Sequence, residues 1–158
     1  WMMDIVQDVI RDRRLERRVA SIKSEQDPAY LKAMMRAGRI RPLDNAPTFD
    51  EGVIDRSTRI VGMMGVEPIQ AALSGGADIV IAGRSSDSAV FAALPIMKGI
   101  PEGIAWHVGK VVECGTLACE TMKRGTMFSR LDRDGAVITP LGEGLRCTPQ
   151  SIAAHSLS

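Results

Sequence analysis

An α/β fold on a parallel sheet is what this sequence predicts, and three observations carry the prediction. The run Ala77-Asp78-Ile79-Val80-Ile81-Ala82 is continuous and β-branched, the pattern of a strand buried on both faces of a parallel sheet. Short apolar stretches alternate with helical patterns: 60–64, then 68–73, then 77–82, then 89–97. Glycines punctuate the ends, at Gly65, Gly75-Gly76, Gly83 and Gly99. Strand, helix, strand and helix with turns this short make a βαβ unit, which is right-handed almost without exception.

The other elements follow in order. Residues 4–15 read as an amphipathic helix, with Ile5, Val6, Val9 and Ile10 on one side. Its cluster Arg11, Arg13, Arg14, Arg17 and Arg18 is interleaved with Asp8, Asp12 and Glu16 at pairing distances, so a solvated face is preferred to a nucleic-acid surface. Residues 18–23 alternate apolar and polar and suit a short strand. Asp27-Pro28 starts a helix over 29–37: the carboxylate accepts backbone N–H bonds, and Pro tolerates the first turn. Residues 39–58 have no clear period and are read as a connection with one short helix near 50–57. Pro95 is expected to kink or end the 89–97 helix, and 104–112 forms another. Residues 126–131 and 136–139 flank Asp132-Arg133-Asp134-Gly135, which predicts an antiparallel hairpin. Thr148-Pro149-Gln150-Ser151 opens a last helix that carries His155 on its surface or in the core.

Composition bounds the function. The chain has 158 residues, 45% hydrophobic and 25% charged, with ordinary soluble usage. No apolar run approaches the ~20 residues of a membrane span, so a membrane role is not expected. Net charge is +1, too small a field to argue for nucleic acid. Three cysteines, at 114, 119 and 147, form no disulfide framework; a reducing, cytoplasmic setting is the simplest expectation. Trp1 opens the chain and Leu157-Ser158 closes it inside a helical pattern, so an interior segment of a longer protein is expected. It divides into an α/β core over 1–125 and a hairpin with the start of a following helix over 126–158.

Open parallel sheets bind ligands beyond the carboxyl ends of their strands. Three such ends are legible: Ser24-Glu25-Gln26-Asp27, Gly65, and Gly83-Arg84-Ser85-Ser86-Asp87-Ser88. The third has the makings of an anion site. Gly83 permits close backbone approach, the Arg84 guanidinium offers a bidentate fork, and Ser85 and Ser86 lie at a helix N-terminus. The plain alternative is that Ser86 or Asp87 caps the helix and Arg84 pairs with Asp87; capping alone does not require the arginine. Gly62-x-x-Gly65 lacks the rest of a dinucleotide fingerprint and no P-loop exists, so no nucleotide cofactor is expected. His107 and Cys114 sit seven apart on one helix, ~10 Å along its axis, too far for a nucleophile–base pair; a buried structural cysteine is the better reading. No CxxC or HExxH spacing points to a metal.

Three stretches together carry a resemblance: Gly65-Val66-Glu67-Pro68-Ile69, the run from Gly76 through Ile81-Ala82-Gly83-Arg84-Ser85-Ser86-Asp87, and Glu113-Cys114-Gly115. They resemble the acyclic terpene utilisation AtuA-like family, whose pattern runs roughly G-A-D-[IV]-V-I-[TA]-G-R-x-x-D with E-C-G about 25 residues on. Ser24-Glu25-Gln26-Asp27, Gly38-Arg39-Ile40-Arg41-Pro42 and Cys147-Thr148-Pro149-Gln150-Ser151 are similar to further stretches of one branch. The resemblance implies a catabolic role in a pathway that processes acids as coenzyme A thioesters, and carries Arg84, Asp87, Glu113 and Gly115 over as site residues without assigning their roles.

The expectation is an enzyme of hydratase or lyase type acting on a small carboxylate or acyl-CoA, with coenzyme A present only as part of the substrate. Asp87, Glu113 and Glu25 are the candidate proton-moving groups; Gly83, Arg84, Ser85, Ser86 and Gly115 are the candidate binding residues. The alternative is a non-catalytic organic-acid or acyl-CoA binding subunit. A homo-oligomer or multi-subunit complex is expected in either case.

Overall fold

The structure, a computed structural model, describes residues 1–157; Ser158, the last residue of the second predicted segment, lies outside them. The fold is mixed α/β. Strand β1 (Val19–Ile22) pairs in parallel with β2 (Ile79–Ala82), in a register running from Val19 opposite Ile79 to Ile22 opposite Ala82. Helices α1 (Met2–Asp12), α2 (Pro28–Arg36), α3 (Glu51–Arg56), α4 (Glu67–Ser74), α5 (Asp87–Met97), α6 (Glu102–Glu113) and α7 (Pro149–Ser156) surround this sheet and a second one. That second sheet is the antiparallel hairpin of β3 (Thr126–Leu131) and β4 (Ala136–Leu141).

Local chemistry explains the element ends. The Asp27 carboxylate accepts from the Tyr30 amide at 2.9 Å and Pro28 occupies the first turn of α2, as the sequence predicts. Asp50 caps the short α3 in the same way. Thr148 and Ser151 form a reciprocal capping box at the start of α7. In the hairpin loop Asp132 Oδ1 accepts from the amides of Asp134 and Gly135, both at 2.9 Å, and folds the turn. Helix α1 stops at Asp12, short of the predicted Leu15. Arg14 takes a left-handed conformation (φ 51°), and the Leu15 amide donates back to the Ile10 carbonyl. Gly76, at φ 86°, ends α4 similarly and aims the chain into β2. Pro95 neither ends nor interrupts α5, because only Ile96 and Met97 follow it before the helix closes.

Two predictions about the sheet are corrected. Residues 60–64 are not a strand: the segment makes only isolated bridges, Val61 to Glu25 and Met64 to Ser85, and Val61 and Met63 are exposed. It runs past the ends of β1 and β2 instead of between them, so its apolar residues have no second sheet face to fill. The βαβ unit therefore joins β1 to β2, with α2, α3 and α4 in the crossover. Strand β2 is half-buried along its whole length, not buried on both faces, since β1 is its one partner strand among the described residues.

The core lies where α4, α5 and α6 meet. Val66, Ile69, Ala89, Ala92, Ala93 and Ala105 are buried there, with Ile22, Leu73, Ile96, Ile100 and Trp106 packed around them. Alanines on both helices let α5 and α6 approach closely, which is also what Gly109 secures: a Cβ at that position would stand 2.6 Å from the Ser88 carbonyl oxygen. The contact of Gly109, late in α6, with Ser88, early in α5, makes the pair antiparallel and sets the N-terminus of α5 near the C-terminus of α6. The hairpin covers α6 and the 3₁₀ turn (Gly115–Ala118) that follows it. Among the described residues, no helix is long and apolar enough to cross a membrane.

Candidate functional site

Beyond Ala82 the chain leaves the sheet at Gly83, whose amide still donates to the Ile22 carbonyl at 2.8 Å. A Cβ on Gly83 would collide with Ser24, standing 2.9 Å from its backbone nitrogen, so glycine is demanded here by the passing β1 loop. The next three residues are clamped by the 62–64 segment. The Met64 amide donates to the Arg84 carbonyl at 3.1 Å, and the Ser86 amide donates to the Met64 carbonyl at 2.9 Å. Ser86 is the N-cap of α5 in extended conformation, with no capping bond from its side chain, and Asp87 is the first helical residue. A carboxylate there faces the positive end of the helix.

This framing opens a cleft of ≈ 370 Å³ lined by Ser24, Val61, Gly83, Arg84, Ser85 and Asp87. Arg84 and Asp87 are both exposed into it. Among the described residues neither side chain makes a hydrogen bond or ion pair, so Arg84 does not pair with Asp87. An unengaged guanidinium beside a helix N-terminus presents positive potential to an anion. Glu25 lines an adjoining cleft that shares Ser24, Val61 and Gly83, and its carboxylate pairs with Arg59 at 3.5 Å. An apolar groove of ≈ 530 Å³ shares Ser24 and Val61 with the first cleft and is walled by Ile22, Leu31, Ile40, Phe49, Ile60 and Met63.

Glu113 and Gly115 lie elsewhere. Neither lines the cleft. Glu113 is the last residue of α6, its side chain 11% exposed, and accepts from the Cys114 thiol at 3.0 Å and from Lys110 Nζ at 3.4 Å. The thiol's hydrogen bond, aided by Lys110, holds the Glu113 carboxyl below the ordinary carboxylate range despite its burial. The same bond, with burial, pushes the Cys114 thiol up, and the negative charge of Asp87 adds to the effect. Asp87 and Cys114 are thus within electrostatic reach of one another across the α5–α6 pair. Gly115 follows the α6 cap at φ 58° with open space where a Cβ would stand, so the left-handed turn accounts for the glycine.

The histidine beside Cys114 is His155 of α7, which sequence reasoning left without a role; His107 faces the hairpin with Gly135, Ala136 and Ile138. One ring nitrogen of His155, the Cys114 sulfur and a Glu113 oxygen lie within 4.8 Å of one another. No spacing rule could have found this, because the two helices meet only in the folded chain. Cys119 and Cys147 also meet, their sulfurs 3.5 Å apart, and burial with the neighbouring thiol pushes Cys147 up to about 11.

Among curated proteins nothing matches this chain, and no solved structure matches it. The family model described as acyclic terpene utilisation family protein AtuA matches residues 1–139. That match takes in both parallel strands, the Gly83–Asp87 loop and the Glu113–Gly115 motif, and the chain belongs to the acyclic terpene utilisation AtuA family.

Proposed function

We propose that this chain serves acyclic terpene utilisation as an enzyme of hydratase or lyase type, acting on an organic acid or its acyl-CoA thioester. The observation that carries the reading is the pair Arg84 and Asp87, both unengaged by other side chains in a cleft at the ends of β1 and β2. Arg84 and the N-terminus of α5 hold the carboxylate or phosphate group; Ser85 adds a hydroxyl, and Gly83 lines the same cleft. Asp87 takes the proton from the carbon beside the activated carbonyl while the hydroxyl on the next carbon leaves as water with a proton drawn from solvent, and hydration runs the same step in reverse. Glu25, held by Arg59, is the second carboxylate on the rim. The apolar groove next to the cleft suits a branched hydrocarbon chain extending from the acid group. Coenzyme A takes part only as a portion of the substrate.

The protein is incubated with branched and linear acids and their coenzyme A thioesters, with product followed by mass spectrometry and binding by calorimetry. Turnover of a thioester by the protein, and loss of about 10- to 100-fold in affinity in Arg84→Ala, as expected for a lost charged hydrogen bond of ~1.5–3 kcal/mol, supports the reading. Thioester binding without any product favours a non-catalytic binding subunit instead. Unchanged turnover and affinity in Arg84→Ala rejects the anion site.

A further inference from the structure

The α6–α7 junction gathers a sulfur, a nitrogen and an oxygen donor from two elements. Cys114 and Glu113 come from the end of α6 and His155 from α7, and their ligating atoms lie within 4.8 Å of one another. A tetrahedral zinc-type site with bonds of ~2.0–2.3 Å sets its donors about 3.5 Å apart, so side-chain torsions suffice to close this set around an ion. The cluster is sheltered: His155 is 8% exposed and the Glu113 side chain 11%.

Its surroundings have the order of an outer shell. His155 Nε2 lies 3.0 Å from the Lys110 carbonyl oxygen. A carbonyl only accepts, so Nε2 carries the hydrogen in this contact, and Nδ1 is the nitrogen that would ligate. A backbone carbonyl holding one ring nitrogen while the other ligates is the usual way a protein orients a metal-binding histidine. Lys110 donates to Oε1 of Glu113 while Cys114 approaches Oε2. The ammonium therefore steadies the carboxylate from the side away from the sulfur.

We propose that Glu113, Cys114 and His155 form a binding site for a zinc-class divalent transition-metal ion, with a fourth position left for water or a ligand. A mixed sulfur, nitrogen and oxygen set disfavours calcium and magnesium, which require oxygen ligands. Three protein ligands and an open position are the pattern of sites where a metal does more than brace the fold. On binding, the sulfur–hydrogen bond of Cys114 gives way to a sulfur–metal bond, the proton leaves to solvent, and no electron is transferred. One carboxylate, one thiolate and a neutral imidazole then balance the dication. The inference stands apart from the carboxylate cleft: an active cleft with no metal, and a metal site with an inactive cleft, are different results.

The protein, reduced and stripped with a chelator, is titrated with Co²⁺ under absorbance and with Zn²⁺ in competition with a chromophoric chelator. One equivalent should bind, and Co²⁺ should give a thiolate charge-transfer band in the near ultraviolet. The near-isosteric Cys114→Ser should abolish the band and weaken Zn²⁺ by 100-fold or more, and His155→Gln should weaken it by at least 10-fold. The double variant Cys119→Ser/Cys147→Ser should keep both, since that thiol pair is the rival site. Circular dichroism confirms folding; if His155→Gln unfolds, Cys114→Ser against the double variant decides. Absence of the band, or a band that survives Cys114→Ser and is lost in the double variant, overturns the proposal.

Discussion

The rim at the end of β2 and the base between α6 and α7 present opposite solutions to polar residues in one small protein. On the rim, Arg84 and Asp87 are exposed and, among the described residues, make no side-chain bond, although they stand three positions apart at a helix start where pairing is easy. At the base, Glu113, Cys114, Lys110 and His155 engage one another or the backbone within a sheltered junction. Burial accounts for the bonds made at the base, where sheltered polar groups must be satisfied. It does not explain the rim, where solvent already satisfies the charges. Stability changes should therefore concentrate at the base, and changes in carboxylate binding at the rim.

The sharpest break in that comparison is Asp87→Asn. Turnover of the thioester substrate should fall by about 10²–10⁴-fold, the usual loss for a displaced proton-moving group. Thermal unfolding should move little, since a carboxylate at a helix start contributes only ~0.3–1 kcal/mol. A large stability loss with turnover intact would move Asp87 from the rim's class to the base's.

Just before α7, beside Cys119, Cys147 should be nearly inert. Raising its pKa from 9.0 to about 11 lowers the thiolate fraction near neutral pH by about 100-fold, two pKa units. Iodoacetamide kinetics resolved by peptide mapping should show that lag relative to a free thiol in the same buffer; labelling at the free-thiol rate would show the site open.

Gly109→Ala tests the packing that joins the two regions. Its new methyl meets the Ser88 carbonyl, an obstacle of backbone, and overpacking of this kind costs about 1–3 kcal/mol. Gly115→Ala meets nothing and should cost about 1–2 kcal/mol, through its left-handed backbone alone. Denaturant melts of the two variants separate close approach from conformation; equal stability to the parent would remove both reasons for glycine.

The smallest effect is one of pH. Folding lowers the pKa of Glu113, chiefly through the Cys114 hydrogen bond. Its contribution to stability is therefore complete above the unfolded carboxyl value, about 4.3, and is lost as pH falls through the lower folded value. Thermal midpoints of the parent should drop more steeply below pH 4.3 than those of Glu113→Gln; parallel curves would mean that the bond contributes nothing.

Most helices and the hairpin were legible because their signals are local. Asp27-Pro28, Thr148 with Ser151, and Asp132 before Gly135 each write their own backbone bonds into a few neighbouring residues. Residues 60–64 misled because an apolar run states only that a segment avoids water, not which surface it meets; here it binds loop backbones at both strand ends. The rim was legible for the same local reason as the helices, since Gly83 to Asp87 is contiguous. The place of Glu113, which the sequence reading put with the rim, was not, because a long-range approach depends on how α5 and α6 lie against each other.

By itself, then, the sequence determined the helices and the hairpin, the parallel strand 79–82, the capping of α2 and α7, and the loop that carries Arg84 and Asp87. Tertiary structure alone decided that β1 is the partner of β2, that Glu113 turns toward Lys110 and Cys114, and that His155 arrives beside them. The division has one physical cause. Backbone bonds and caps are satisfied within a few residues, whereas burial is satisfied by whichever distant surface fits, and nothing in a neighbouring residue records which surface that is.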